Sequence, residues 1–298
     1  MDLICVGDLM LDVSAESRAL ARGGDVHGRV RLRPGGSAAN AAVWAAASGA
    51  ETQVIGRVGD DPAGRIVRES IVERGVDAIV STDRSTPTGT MLVVHAAEER
   101  SMVADRGANA TFRPEHLPAR LEAKAVLVSG YLLLQRETHA TARAALERAR
   151  GQFVAVDAGS WPLVESVGAD RFFAWTREAN VLFANEREAE ALCGEPGEDA
   201  AAALAHRYPV VCVKLGSQGA VMSWEGLLIR FSTDPVEGVD PTGAGDAFDG
   251  ALLAALAQRR SPGEALRIAC AAGSVVASSR DTWPKAGPGT RPDGRVDG

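Results

Sequence analysis

The chain has 298 residues, 46% of them hydrophobic and 24% charged, which is enough apolar content for a substantial core and argues against disorder. Its formal net charge of −7 removes any global attraction to nucleic acid or to an anionic membrane, so an anionic ligand must be held by local groups. Asp2 and Asp8 stand where a secretion signal carries basic residues, and the apolar run Ala251 to Ala257 stops at Gln258-Arg259-Arg260. The expectation is therefore a cytoplasmic protein without a membrane segment.

Cys5, Cys193, Cys212 and Cys270 are widely spaced in apolar segments with no Cys-x-x-Cys, so they are expected as thiols rather than as a disulfide or zinc site. The lysines are only Lys124, Lys214 and Lys285, and none follows a glycine, so a Walker A loop is absent. After Gly243 and Gly245, Phe248 stands where the third glycine of a dinucleotide fingerprint would be, which weakens an NAD-linked reading.

Leu3 to Gly7 is a short apolar run ending in glycine, the pattern of a buried parallel strand, with Asp8 and Asp12 just beyond it. Carboxylates beyond strand ends are placed to accept hydrogen bonds from substrate hydroxyls, the reading taken for Asp12, whereas Asp8 reads rather as a solvated loop residue. Val26 to Arg33 alternates, Val30 and Leu32 against Arg29, Arg31 and Arg33, and Thr88 to His95 with Arg100 to Asp105 reads as a hairpin. These two regions, about 13–33 and 87–106, are expected to form a small separate β-sheet that acts as a lid. Between them, Pro34-Gly35-Gly36-Ser37-Ala38-Ala39-Asn40 feeds a helix of small residues, where the glycines admit a ligand and Asn40 can offer an amide to a hydroxyl.

Val54 to Gly59 is a further strand, and Asp60-Asp61-Pro62 carries the cap and first-turn proline of a helix running to Arg74. Ala125 to Gly130, Phe153 to Asp157, Val181 to Asn185 and Val210 to Gly216 are read as buried strands, separated by helices at Glu137 to Arg150, Glu186 to Cys193 and Asp199 to Arg207. This alternation predicts an α/β fold with a Rossmann-like, mainly parallel central sheet and helices on both faces. Glu225-Gly226 marks a tight hairpin, a helix spans about Pro262 to Ser279, and the polar, glycine-rich sequence from Asp281 onward reads as a loose tail.

The chemistry concentrates in Asp240-Pro241-Thr242-Gly243-Ala244-Gly245-Asp246, a glycine loop opening an Ala/Leu-rich helix. The unpaired N–H groups of a first helical turn face any anion, and the dipole there favours an ionised Asp246. A carboxylate able to take a proton beside an anion hole suggests phosphoryl transfer to a hydroxyl. Asn185-Glu186-Arg187-Glu188 follows a strand end and suits a hydrated Mg²⁺. Lys214-Leu215-Gly216-Ser217-Gln218-Gly219 ends another strand with glycines past which a base and ribose can run.

With these motifs and with Gly7 to Asp12, Val58 to Gly64 and Arg106-Gly107-Ala108-Asn109-Ala110, the sequence resembles the PfkB, or ribokinase-like, carbohydrate kinases over roughly residues 2 to 284. The resemblance implies one kinase domain over 1–284, a tail over 285–298, ATP with Mg²⁺, and a lid closing on a small sugar or sugar-like substrate. By position, Asp246 matches the family's catalytic base and Gly243, Ala244 and Gly245 its anion hole; Asp12, Gly35, Gly36 and Asn40 match substrate contacts. Asn185 and Glu188 match the motif governing Mg²⁺, the latter through water, while Lys214, Gly216 and Gly219 match the nucleotide side. Asp240 and Thr242 lie where some members bind a monovalent cation such as K⁺, and Asp281 stands near where relatives place a glycine by that site.

Ser37 replaces the lysine that many ribokinases carry after the second glycine, which counts against ribose itself, and Arg106 is a candidate for meeting an anionic substrate. The competing expectations are a nucleoside kinase of the same fold and a non-catalytic sugar- or nucleotide-binding regulator. The alternating lid strands, exposed on one side, also suggest a homodimer through the lid.

Overall fold

A computed structural model describes residues 1–19, 21, 23–96, 99–233, 241–279 and 281–284. Its central sheet has nine strands in the order β15 (Leu227–Phe231), β14 (Ala220–Trp224), β13 (Val210–Lys214), β12 (Val181–Asn185), β11 (Phe153–Asp157), β9 (Ala125–Val128), β1 (Leu3–Val6), β4 (Thr52–Gly59) and β5 (Asp77–Asp83). From β13 to β5 every pairing is parallel, while β14 and β15 add an antiparallel edge. The hairpin between them turns on Glu225 and Gly226, both at positive φ (49° and 85°), as a two-residue turn of matching twist requires.

Period-two alternation sorts each buried strand onto two cores. Leu3, Cys5, Ala155, Phe183 and Cys212 pack with α1 (Ser37–Ala47), α2 (Pro62–Val72), α9 (Ala244–Ala257) and α10 (Pro262–Ala277). Ile4, Val6, Val156, Leu182 and Val213 face the other way. They meet the short α3 (Gly130–Leu134), α4 (His139–Arg148), α5 (Trp161–Val167), α6 (Ala169–Trp175), α7 (Glu186–Cys193) and α8 (Gly197–Leu204). Two-residue strands β8 (Leu121–Glu122) and β10 (Ala149–Arg150) pair beside this second layer. Helices thus cover both faces, as the strand–helix alternation predicts. Strand β5 and helices α5 and α6 carry too weak a pattern to be foreseen.

The lid is a four-stranded sheet ordered β3 (Arg29–Gly35), β2 (Met10–Ser17), β6 (Gly89–Ala96) and β7 (Glu99–Asp105). Its register lines up Leu32, Val13, Leu92 and Val103 in one row and Arg33, Asp12, Met91 and Ala104 in the next. Since adjacent residues on a strand face opposite ways, one face of the lid carries Asp12 and the other is apolar, with Leu32 58%, Val30 66% and Val103 64% exposed.

Chain entry to α2 follows the sequence signals: Asp61 caps it by accepting from the Gly64 N–H at 2.7 Å, and Pro62 occupies the first turn. The same Asp61 carboxylate also takes the Thr88 N–H at 2.8 Å, tying this helix to the start of the lid strand β6. Cys5, Cys212 and Cys270 are buried free thiols and Cys193 is half-buried. One expectation is corrected at the C-terminus: Asp281 does not begin a loose tail. Thr282 and Trp283 are buried, at 9% and 7% exposure, because the indole finds an apolar slot and a hydrogen-bond acceptor. Residues 285–298, read as tail, lie outside the described residues.

Candidate active site

The site residues carried by the central sheet lie at the carboxyl ends of its parallel strands, and the strand order reverses where β1 has β4 on one side and β9 on the other. At such a switch point the crossovers diverge and leave a crevice. Asp8 follows β1, Asp157 ends β11, Asn185 ends β12 and Lys214 ends β13. Helix α9 enters this crevice with its N-terminus, held close to α1 because a Cβ at Gly250 would collide with the Ala41 carbonyl.

Gly243 caps α9 in the left-handed region, with φ 79°, and Asp246 lies in the first turn. The Ala244 N–H donates to the Pro241 carbonyl at 3.1 Å, so this amide, expected in the anion hole, is already engaged. The N–H groups of Gly243, Gly245 and Asp246 have no acceptor among the described residues, leaving three amides open at the helix start. Asp240 lies outside the described residues; Thr242 sits in the turn directly before α9.

Asp246 Oδ2 accepts from Asn40 Nδ2 at 2.8 Å, which brings the α1 motif onto the glycine loop across 206 residues of sequence. Burial, reinforced by the Asp157 and Asp12 charges and opposed by the Asn40 hydrogen bond and Lys214, pushes the Asp246 carboxyl up to about 7. Asp12 faces the same space from the lid: a Cβ at Gly35 would collide with its carboxylate, and one at Gly36 would strike the Asp8 carbonyl. Asp12, Gly35, Gly36, Asn40 and Asp246 therefore form one continuous wall.

Arg106, the candidate for meeting an anionic substrate, is paired within the protein. It is 18% exposed and grips Asp8, with Nε to Oδ2 at 3.2 Å and Nη2 to Oδ1 at 2.8 Å. Asp8 is correspondingly 6% exposed rather than a solvated loop acid.

On the other flank, Lys214 Nζ lies 3.0 Å from Asp157 Oδ2 and 3.0 Å from Asp249 Oδ1. A Cβ at Gly245 would stand 3.3 Å from the same ammonium, so this charge borders the open amides. Burial works against the charge on Lys214, but Asp157, Asp249 and Glu188 outweigh it and hold the ammonium well above the usual lysine value. Asp249, 1% exposed, is the acid one helical turn after Asp246. Burial pushes the Glu188 carboxyl up to about 7, helped by Asp157 and opposed by Lys214 and Asn185.

Asn185 and Glu188 form a reciprocal cap on α7: Asn185 Oδ1 accepts from the Glu188 N–H at 3.0 Å, and Glu188 Oε2 from the Asn185 N–H at 2.8 Å. Asn185 Nδ2 also donates to Glu188 Oε1 at 2.7 Å. With both oxygens engaged, Glu188 suits a metal met through water, and no group of three acidic, His or Cys residues shaped for an ion occurs among the described residues. Mg²⁺ carried on phosphate oxygens needs no such cage.

Gly216, at φ 58°, has open space where a side chain would be. Gly219 differs: a Cβ there would collide with the Phe231 carbonyl, so its glycine answers to the β15 contact. Sequence reading missed Asp157, Asp249 and Trp283. Asp249 was findable as a second acid in an otherwise apolar helix.

Residues 1–285 match the family described as pfkB family carbohydrate kinase. A fructokinase of Klebsiella pneumoniae is 30% identical over 255 residues, covering 80% of this chain and 81% of that protein. The adenosine kinase of Sinorhizobium meliloti shares the fold, with a TM-score of 0.84, 24% identity and coverage of 95% of this chain and 96% of that one. The Arabidopsis thaliana ribokinase complexed with ribose and ATP superposes with a TM-score of 0.73 at 26% identity, covering 95% of both chains. With the family matched across nearly its whole length and the glycine loop and its aspartate set in the crevice, this chain belongs to the pfkB family of carbohydrate kinases, which phosphorylate sugars with ATP.

Proposed function

We propose that the protein transfers the γ-phosphoryl group of ATP to a hydroxymethyl group of a small, neutral sugar or sugar-like polyol. The observation that carries this reading is the Asp246 carboxylate, bonded to Asn40 and set beside three open amides. Asp246 accepts the proton of the acceptor hydroxyl at a carboxylate oxygen as that hydroxyl's oxygen attacks the γ-phosphorus and the bond from phosphorus to ADP breaks. The Gly243, Gly245 and Asp246 amides, with the Lys214 charge beside them, receive the charge on the transferring group. MgATP supplies the phosphoryl group and the metal's charge on its oxygens. Asp12 and the Gly35-Gly36 turn orient the sugar hydroxyls, and the lid excludes water that would otherwise take the phosphoryl group.

Neutrality follows from Arg106, whose guanidinium is matched by Asp8 and so brings no unbalanced charge to a substrate carboxylate or phosphate. A nucleoside acceptor is the second reading, favoured by Tyr131. Its ring is 39% exposed, and its hydroxyl is pushed up by burial and by the Asp157, Asp246, Glu188 and Asp8 carboxylates around it, which suits an aromatic platform at the cleft.

An acceptor panel of ribose, fructose, a keto-deoxy sugar acid and adenosine, read by ADP release, tests both. Turnover on the sugar acid above the neutral sugars would overturn the neutral reading, and turnover on adenosine alone would select the second. Ligand binding with no phosphorylation of any acceptor would point to a regulator.

A monovalent cation beside Thr242 is part of the proposal and is read by comparing turnover in K⁺ and in a bulky organic cation. ATP as donor fits work in the cytoplasm, and no helix among the described residues is long and apolar enough to cross a membrane. The apolar outer face of the lid fits pairing with a second copy, as light scattering would report.

A further inference from the structure

Residues 281–284 form a strap bonded to helix α1 and lid strand β3, and it reaches the acceptor wall at Asn40. Trp283 Nε1 donates to Asn40 Oδ1 at 2.6 Å, and the Thr282 carbonyl accepts from Trp44 Nε1 of α1 at 2.8 Å. A Cβ at Gly243 would collide with Thr282 Cγ2, so the strap also lies against the glycine loop. The Arg74 guanidinium sits 4.9 Å over the Trp283 ring, and Arg33 of lid strand β3 is 3.2 Å from Asp281.

An indole N–H only donates. It can therefore meet only the oxygen end of the Asn40 amide, and that choice turns Nδ2 toward Asp246. The reverse orientation would set an amide oxygen against the carboxylate and an NH₂ group against the indole N–H, two repulsive contacts in a half-buried space. The second N–H of Asn40 has no partner among the described residues, and Nδ2 would lie 3.3 Å from a Cβ at Gly243.

We propose that Trp283 is a positioning residue for phosphoryl transfer: through the Asn40 amide it makes this wall a hydrogen-bond donor toward both Asp246 and the acceptor oxygen. The acceptor hydroxyl is then held by its oxygen from Asn40 and by its hydrogen from Asp246, which points the lone pair at phosphorus. This rests on Asp246 being the base. Among the described residues, the ionisable groups facing Asp246 include Asp157 from β11, Lys214 from β13, Asp12 from β2, Cys5 from β1 and Tyr131 from α3, and Arg74 faces the indole. None of them replaces the donor that Asn40 brings.

Trp283→Phe keeps the ring under Arg74 and removes only the N–H. Turnover is expected to fall about 10-fold, short of the ~10²-fold of outright misplacement, with the KM for ATP unchanged. The acid limb of turnover should move to higher pH, because a carboxylate losing a donor holds its proton more tightly. In an Asn40→Ala background the same substitution should change neither quantity. Parent turnover and parent acid limb in Trp283→Phe would overturn the proposal, as would an effect that persists without Asn40.

A second measurement uses the intact chain and needs neither a folded Trp283 variant nor an active enzyme. The assigned ¹⁵N indole resonance of Trp283 should follow a titration near pH 7 in the parent protein and lose it in Asp246→Asn. A resonance that ignores pH between 5 and 9 sinks the relay, even if the acceptor panel succeeds. A resonance that titrates while Asp246→Asn retains turnover keeps the relay and instead removes Asp246 as the base.

Discussion

On the acceptor flank of Asp246, the Asn40 amide is fixed by a neutral hydrogen bond from a tryptophan, and the ion pairs close by, Arg106 with Asp8 and Arg33 with Asp281, do not include the Asp246 carboxylate. On the nucleotide flank, Lys214, Asp157, Asp249 and Glu188 crowd ionisable groups into buried space beside the same glycine loop. The contrast separates two ways of building a site. Neutral bonds set direction, and a single substitution can change them with little electrostatic cost. A buried charge network sets field strength, and losing one member strands the others.

The contrast breaks most sharply at the group the flanks share. Asp246→Asn should lower turnover by roughly 10²–10⁴-fold, the usual worth of a general base, while ATP affinity measured by titration calorimetry stays near the parent value. Lys214→Met should come next, expressed in stability. Leaving Asp249 buried without its partner costs about 3–5 kcal/mol, read as a loss in chemical denaturation, and adding Asp249→Leu should recover part of it. A fully additive double variant would deny that the two residues form a unit.

Acidity sharpens the comparison further. A base raised to about 7 must be ionised to work, so log kcat should fall with unit slope below neutral pH. The stability sign is the opposite of the usual salt-bridged aspartate. The folded value lies above the unfolded one near 3.8, so the contribution of Asp246 is complete below that value and is lost as pH rises through about 7. Asp246→Asn should therefore gain on the parent in thermal midpoint as pH goes from 4 to 8. An unchanged difference would argue that the carboxyl titrates normally. The smallest effect on chemistry belongs to the lid: Leu32→Asp should give a monomeric mass by light scattering with turnover near the parent value, whereas a monomeric parent would remove the pairing altogether.

Much of the fold was legible because the signals were local. Apolar runs closed by glycine, Asp61-Pro62 before α2, and Glu225-Gly226 between β14 and β15 each state a preference that a few neighbouring residues satisfy alone. Family motifs named the glycine loop, Asn40 and Lys214 as a set. Their partners were less visible. Asp157 reads as the end of a strand and Trp283 as an aromatic lost in a polar tail, since nothing within several residues of either predicts what it touches.

What the sequence determined by itself was the alternation of strands and helices, the class of chemistry and the aspartate at the helix start, because periodicity, capping and backbone freedom act over short stretches of chain. Only the tertiary structure decided which amide of the glycine loop is already engaged, that Arg106 is neutralised by Asp8, and that the strap beginning at Asp281 closes on Asn40. The last two outcomes depend on contacts between residues 98 and 243 positions apart, where desolvation and hydrogen-bond geometry rank partners that composition leaves equivalent.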